Sequence, residues 1–122
     1  EYGHDIGDKV LKELSRILNE TLRESDVIIR YGGEEFIIAL PETSLNIAQA
    51  LAERCRLAIQ NQVLESLDHH YVQLTASFGI ATSIDDDNIS KIIHLADKAL
   101  YRAKQSGRNQ VQLYHAQINE IA

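Results

Sequence analysis

Val27-Ile28-Ile29-Arg30-Tyr31-Gly32-Gly33-Glu34-Glu35-Phe36-Ile37-Ile38-Ala39-Leu40 is the stretch on which the fold of this 122-residue chain turns. Two short apolar runs, rich in β-branched residues, flank a glycine pair. That pattern predicts a β-hairpin, with Tyr31 to Glu34 as a tight turn, because glycine tolerates the positive φ angles of the favoured two-residue turns. Pro41 stops the returning strand, since it has no N–H to continue a ladder. Ahead of the hairpin, Ile6, Val10, Leu14, Ile17 and Leu18 recur at helical spacing, with Leu11 and Leu22 widening the stripe, and predict a helix from Asp5 to about Glu24. Behind it, Ser44 is an N-cap for a helix to roughly Val63, with Ile47, Ala48, Leu51, Ala52, Cys55, Ala58 and Ile59 facing inward.

Val72, Leu74, Ala76, Phe78 and Ile80 alternate, which predicts one strand with one buried face. A further helix is expected over Ile89 to Gln105, with Ile92, Ile93, Ala96, Ala99, Leu100 and Ala103 inward and Gly107 as its stop. Val111 and Leu113 suggest a last short strand. The order is helix, strand, strand, helix, strand, helix, strand: an α+β layer fold with antiparallel strands and helices on one face. A ferredoxin-like arrangement of these elements calls for a further strand ahead of the first helix.

Composition narrows the class of function. With 44% apolar and 25% charged residues the chain reads as one globular domain and not as a disordered segment. The 18 acids against 12 lysines and arginines leave a net charge of −6. This balance argues against broad cover of a DNA or RNA backbone and leaves room for a small anionic ligand held by local cations. The longest apolar run, Phe36 to Leu40, is far short of a membrane span. The single cysteine, Cys55, allows no internal disulfide and fits a reducing compartment, here the cytoplasm. His69 and His70 lack one-turn metal spacing, His94 and His115 have no partner pattern, and Asp85 to Asp87 read as a solvated loop.

At the hairpin, Gly32 and Gly33 remove side chains, so a ligand can come close to the backbone. Glu34 and Glu35 follow at once. Adjacent strand residues point to opposite faces, so an undistorted strand gives the two carboxylates different surroundings. Carboxylates at such a tip suit hard divalent cations, which take oxygen ligands and bridge to phosphates. The plain alternative is a solvated turn with two exposed acids.

Gly32-Gly33-Glu34-Glu35-Phe36 resembles the signature of the GGDEF family of diguanylate cyclases, in the variant with glutamate third. Gly3-His4-Asp5-Ile6-Gly7-Asp8-Lys9-Val10-Leu11 fits the family's Gly-His-x-x-Gly-Asp-x-x-Leu segment. Leu74 to Ala81 resembles its fourth strand, and Asp97 to Asn109 its last helix with the turn beyond. Four ordered blocks at compatible spacing cover nearly the whole chain.

The resemblance implies a nucleotide-cyclase-like, antiparallel-rich sheet with helices packed on it. It implies condensation of two GTP molecules into cyclic di-GMP and pyrophosphate across a homodimer, with Mg2+ or Mn2+ as cofactor. Glu34 is then a metal ligand and base candidate, Glu35 a further catalytic candidate, and the backbone at Gly32 and Gly33 lies near the phosphates. Asp8 would read guanine, whose adjacent N1 and N2 donors a carboxylate can accept, and His4 lines the same pocket. Lys104 and Arg108 match the family's phosphate-binding cations. Arg23-Glu24-Ser25-Asp26 resembles its Arg-x-x-Asp inhibitory site for product, with Arg54 as the second arginine.

The resemblance also implies a strand and helix ahead of Glu1, carrying a metal aspartate, a lysine and an asparagine. On that expectation the chain is an N-terminally incomplete domain of impaired activity. An upstream sensor or receiver domain is expected in the parent protein, which is open to membrane anchoring. The alternative is a non-catalytic regulatory module that binds cyclic di-GMP or GTP through Arg23, Asp26 and Arg54. A third reading is a structural dimerisation unit.

Overall fold

Leu14, Ile17, Leu18 and Leu22 recur every three or four residues, so a helix here presents one apolar stripe that must find a partner. The computed structural model describes residues 2–31, 35–65, 71–82 and 88–114, with the backbone alone at 2–6, 8, 63–65, 71 and 72. In it the first helix, α1, spans Tyr2–Thr21. It stops short of Glu24 for a local reason. The Arg23 backbone N–H donates to Asp26 Oδ2 at 2.8 Å, which takes the chain out of the helical path.

Strand β1 (Val27–Arg30) pairs antiparallel with β2 (Phe36–Ala39), Ile28 opposite Ile38 and Arg30 opposite Phe36. Tyr31 N–H donates to the Glu35 carbonyl at 2.8 Å, so residues 32–34 lie between that bonded pair. The connection is therefore one residue longer than the two-residue turn expected from the glycines.

Helix α2 (Leu45–Gln60) starts at Ser44, whose hydroxyl accepts from the Ile47 N–H at 3.3 Å. Ala48, Leu51, Cys55 and Ile59 are its buried stripe; Ile47, expected inward, is 52% exposed because it falls outside that stripe. The helix does not continue to Val63. Val63–Glu65 is a strand, β3, paired antiparallel with β4 (Tyr71–Gln73), and the apolar spacing of α2 gave no sign of the change.

The alternating run from Val72 to Ile80 is likewise two strands. β4 ends at Gln73 and β5 occupies Phe78–Ile80, because the two pair with different neighbours. Helix α3 (Ile89–Gln105) matches its expected span, capped by Asn88 Oδ1 accepting from the Lys91 N–H at 2.8 Å. It returns the chain to β6 (Val111–Leu113), which pairs parallel with β5, Phe78 opposite Val111. Neighbouring parallel strands need a long crossover, and α3 is that crossover. The α+β class stands. Among the described residues, however, one of the three strand pairings is parallel where antiparallel strands were expected.

Ile17, Leu18, Cys55 and Ile59 form the centre of the core, joined by Ile28, Phe36, Ile38, Leu74, Ala76 and Phe78. Each fully buried isoleucine or leucine is worth roughly 1.5–3 kcal/mol relative to exposure. Phe78 enters this α1–α2 core, and its neighbour Gly79 must then face the other side of the strand. There it meets α3: a Cβ on Gly79 would sit 2.2 Å from the Leu100 nitrogen and 2.3 Å from the Ala96 carbonyl oxygen. Helices therefore cover both faces of β5, not one face as expected. Ala99 and Ala103, with no exposed surface, let α3 lie this low. No helix of the described residues is long and apolar enough to cross a membrane.

Gly79→Ala has no room without displacing helix backbone. It is expected to lower the urea midpoint by the equivalent of about 1–3 kcal/mol or more, the range for overpacked sites. An unchanged midpoint in equilibrium denaturation would refute this packing.

Candidate functional site

The hairpin tip is held at its base by the Tyr31–Glu35 bond, and both residues are exposed. Glu35 presents its carboxylate to solvent, while Gly32, Gly33 and Glu34 lie outside the described residues. Among the described residues no three histidine, cysteine, aspartate or glutamate side chains converge. Glu35 by itself is one carboxylate and does not make a divalent-cation site, which needs about six oxygen ligands.

His4 and Asp8 both fall within α1, four residues apart and so on one face of the helix. The last turn of α3 carries Arg102 and Lys104, favourable positions for cations beside the negative end of the helix dipole. The helix then stops by a Schellman turn. Gly107 takes φ +114°, and the Arg108 N–H donates to the Ala103 carbonyl at 2.9 Å. Arg108 follows at φ +63° and is exposed. Lys104 and Arg108 thus share one helix end, and among the described residues neither is in an ion pair.

The turn beyond has support that no sequence pattern announced. Asn109 adopts φ +49°, and its N–H donates to Ser77 Oγ at 3.0 Å. Its Oδ1 accepts from Arg56 Nη1 at 2.9 Å, and its Nδ2 donates to Gln60 Oε1 at 2.9 Å. Arg56 and Gln60 are one turn apart on α2 and 53 and 49 residues away from Asn109 in sequence. Their only sequence sign is a polar pair at i, i+4.

Arg23 and Asp26 are brought together. Arg23 Nη2 donates to Asp26 Oδ1 at 2.8 Å and Nε to Asp26 Oδ2 at 3.1 Å, a forked pair. Arg23 Nη2 also donates to Thr43 Oγ1 at 2.6 Å, a contact across 20 residues that sequence reading missed. The Asp26 side chain has no exposed surface, whereas that of Arg23 is 39% exposed. The guanidinium thus covers the acid and keeps a solvent-facing edge. Arg54 on α2 is exposed and makes no ion pair among the described residues. Its charge and that of Asp26 act on the Cys55 thiol in opposite directions, each less than burial does. Burial pushes the Cys55 thiol up to about 11, so it stays protonated and inert.

The hydrogen bonds from the Arg23 side chain, aided by its backbone N–H, hold the Asp26 carboxyl below its ordinary 3.8. A carboxyl depressed in the folded state stabilises the fold above its unfolded value, and that contribution disappears as pH falls through the folded value. The gap in urea midpoint between wild type and Asp26→Asn is therefore expected to be constant from pH 7 to 5 and to shrink below pH 3.8. A gap that is the same at pH 6 and pH 3 would refute the pairing.

With this geometry in hand, the similarities are consistent. The family profile described as "Diguanylate cyclase, GGDEF domain" matches residues 1–110. Diguanylate cyclase A of Treponema denticola is 42% identical over 113 residues, 92% of this chain and 30% of that protein. Diguanylate cyclase DosC of Escherichia coli K12 is 38% identical over 117 residues, 96% of this chain and 25% of that protein. The chain therefore spans between a quarter and a third of the length of these relatives.

Among solved structures, the GGDEF domain of DgcB from Caulobacter crescentus in complex with c-di-GMP superposes with a TM-score of 0.87 at 26% identity. It covers 93% of this chain and 67% of that one. Diguanylate cyclase SiaD of Pseudomonas aeruginosa, in complex with its activator SiaC, gives 0.87 at 37% identity, 92% of this chain and 43% of that one. The active GGEEF domain of a diguanylate cyclase from Vibrio cholerae gives 0.78 at 32% identity, 92% of this chain and 70% of that one.

Proposed function

Because this chain belongs to the GGDEF family of diguanylate cyclase domains, we propose that it is the catalytic module of a protein that condenses two GTP molecules into cyclic di-GMP across a homodimer. Each 3′-hydroxyl attacks the α-phosphate of the opposite nucleotide. One P–O bond forms and one α–β anhydride bond breaks at each centre, with pyrophosphate leaving and the hydroxyl proton passing to a carboxylate. Catalysis of this type is mainly positioning and charge stabilisation.

The observation that carries this reading is the family match over residues 1–110, which spans every element that bears a candidate residue. Glu34 and Glu35 are assigned to the catalytic carboxylates, with Glu34 as ligand for Mg2+ or Mn2+. The backbone at Gly32 and Gly33 lies beside the phosphates, and Lys104 and Arg108 neutralise them. Asp8, with His4 on the same helix face, reads the guanine edge. The acidic net charge fits this division, because the ligand's charge is met by two local cations and not by a basic surface.

Arg23, Asp26 and Arg54 are assigned to a product site that limits synthesis. The forked Arg23–Asp26 pair favours this assignment, since a guanidinium already oriented by a buried carboxylate loses little freedom on meeting phosphate or a guanine edge. The remaining length of the relatives leaves room for a sensor or receiver domain upstream. A further strand and helix ahead of Glu1 would complete the metal and guanine contacts. The domain is assigned to the cytoplasm, where its single buried thiol stays reduced.

Incubating the full-length protein with GTP and Mg2+ should yield cyclic di-GMP and pyrophosphate by chromatography, and no product would overturn the reading. Glu34→Gln is expected to lower the rate by about a hundred-fold or more, the usual loss when a catalytic acid–base group is removed. Arg23→Ala should raise the product concentration needed for half-inhibition by about ten-fold or more, the consequence of losing a charged fork. Unaltered inhibition would remove the product site from the proposal.

A further inference from the structure

Two consecutive residues of the turn after α3, Arg108 at φ +63° and Asn109 at φ +49°, occupy the left-handed region without being glycine. Asparagine is tolerated there because its short side chain bonds locally, but arginine is not a residue that chooses it. Such strain persists only where the surroundings impose it, and it tends to collect at functional positions. The Schellman turn fixes the entry to this segment. The exit is fixed by Asn109, whose backbone N–H and both side-chain amide atoms are engaged by Ser77, Arg56 and Gln60.

Arg56 is the hub. Its Nη1 reaches Asn109 Oδ1 at 2.9 Å, the Asn109 carbonyl oxygen at 3.4 Å and Gln60 Oε1 at 3.1 Å. Its Nε and Nη2 are taken by Glu53, which locks the guanidinium plane on α2. The Arg56 side chain is only 15% exposed, so it is not a diffuse surface charge. This polar clamp adds nothing to the apolar core. What it holds is the backbone of the residue next to Arg108, while the Arg108 side chain stays exposed.

We propose that Arg56 is a positioning residue for nucleotide binding: by clamping Asn109 to α2 it keeps Arg108 in its left-handed conformation, with its guanidinium presented to the triphosphate of GTP. The inference rests on the reading of Arg108 as a phosphate cation. It adds that the cation's placement is set from another helix as well as by its own turn, where the Arg108 N–H donates to the Ala103 carbonyl and Gln110 Nε2 donates to the Arg108 carbonyl. Without the clamp, Arg108 relaxes toward ordinary φ and its side chain leaves the phosphate.

The test is a double-mutant cycle in the full-length protein, with KM for GTP and kcat measured in Mg2+ and folding followed by circular dichroism. Arg56→Gln is expected to raise KM about ten-fold and change kcat less than about three-fold, as when a ground-state contact is displaced. Arg108→Ala should raise KM to a similar degree, and adding Arg56→Gln to it should raise KM no further. Should Arg56→Gln not fold, Asn109→Gly carries the same expectation, since glycine keeps the left-handed backbone while removing the bonds to Arg56 and Gln60.

An unchanged KM in Arg56→Gln beside a raised KM in Arg108→Ala overturns the positioning role alone. Additive losses, or a fall in kcat with KM unaltered, also overturn it. An unchanged KM in Arg108→Ala removes the phosphate reading and the proposal with it.

Discussion

The contact between Gly79 and α3 is the constraint on which the arrangement of this domain depends. With a hydrogen in place of a side chain, the backbone of β5 comes against the helix at Ala96 and Leu100, closer than any Cβ permits. That approach settles several things together. It beds α3 on the outer face of β5 and leaves the inner face, through Phe78, to the α1–α2 core. It also brings the chain back beside β5, so that β6 pairs parallel with it and the turn between α3 and β6 lands against α2. The end of α3 that carries Lys104 and Arg108 is thus located by a packing contact two helical turns upstream. A loop held only by itself could not give two cations a fixed place.

Much of this was legible in the sequence, for reasons particular to each element. α3 was read to its ends because two signals agreed there: the apolar stripe through Ala99 and Ala103, and the Gly107 stop. α1 and the first hairpin followed from apolar spacing and from the glycine pair. Legibility ended where non-local pairing decides. Whether Val63 continues a helix or begins a strand depends on Tyr71–Gln73 lying opposite it, and local spacing does not encode that partner. Alternation from Val72 to Ile80 pointed to Leu74, Ala76 and Phe78, which do pack against the core. It could not report that the ladder is interrupted, since burial and backbone pairing are separate requirements. Parallel pairing of β5 and β6 was invisible for the same reason.

The candidate residues divide in the same way. Those that belong to short contiguous motifs, Arg23 with Asp26 and Lys104 with Arg108, could be named from the chain. Those that hold them, Thr43 for Arg23 and Arg56 with Gln60 for the Arg108 turn, lie 20 to 53 residues away and are visible only once the chain is folded. A motif names the atoms that meet a ligand, whereas the precision of their placement comes from supporting contacts with no motif of their own.

Helix α2 connects these observations. Its buried stripe through Leu51, Cys55 and Ile59 anchors it in the core, so its polar positions are presented at fixed angles. Arg54 and Arg56 are two residues apart and hence about 200° apart around the helix axis. Arg56 clamps Asn109 beyond α3, and Arg54 faces away from that contact. The second arginine assigned to the product site and the clamp on the turn assigned to substrate phosphate therefore project from opposite sides of one core-anchored helix. A change confined to either edge would have to work against Leu51, Cys55 and Ile59 before it moved the other.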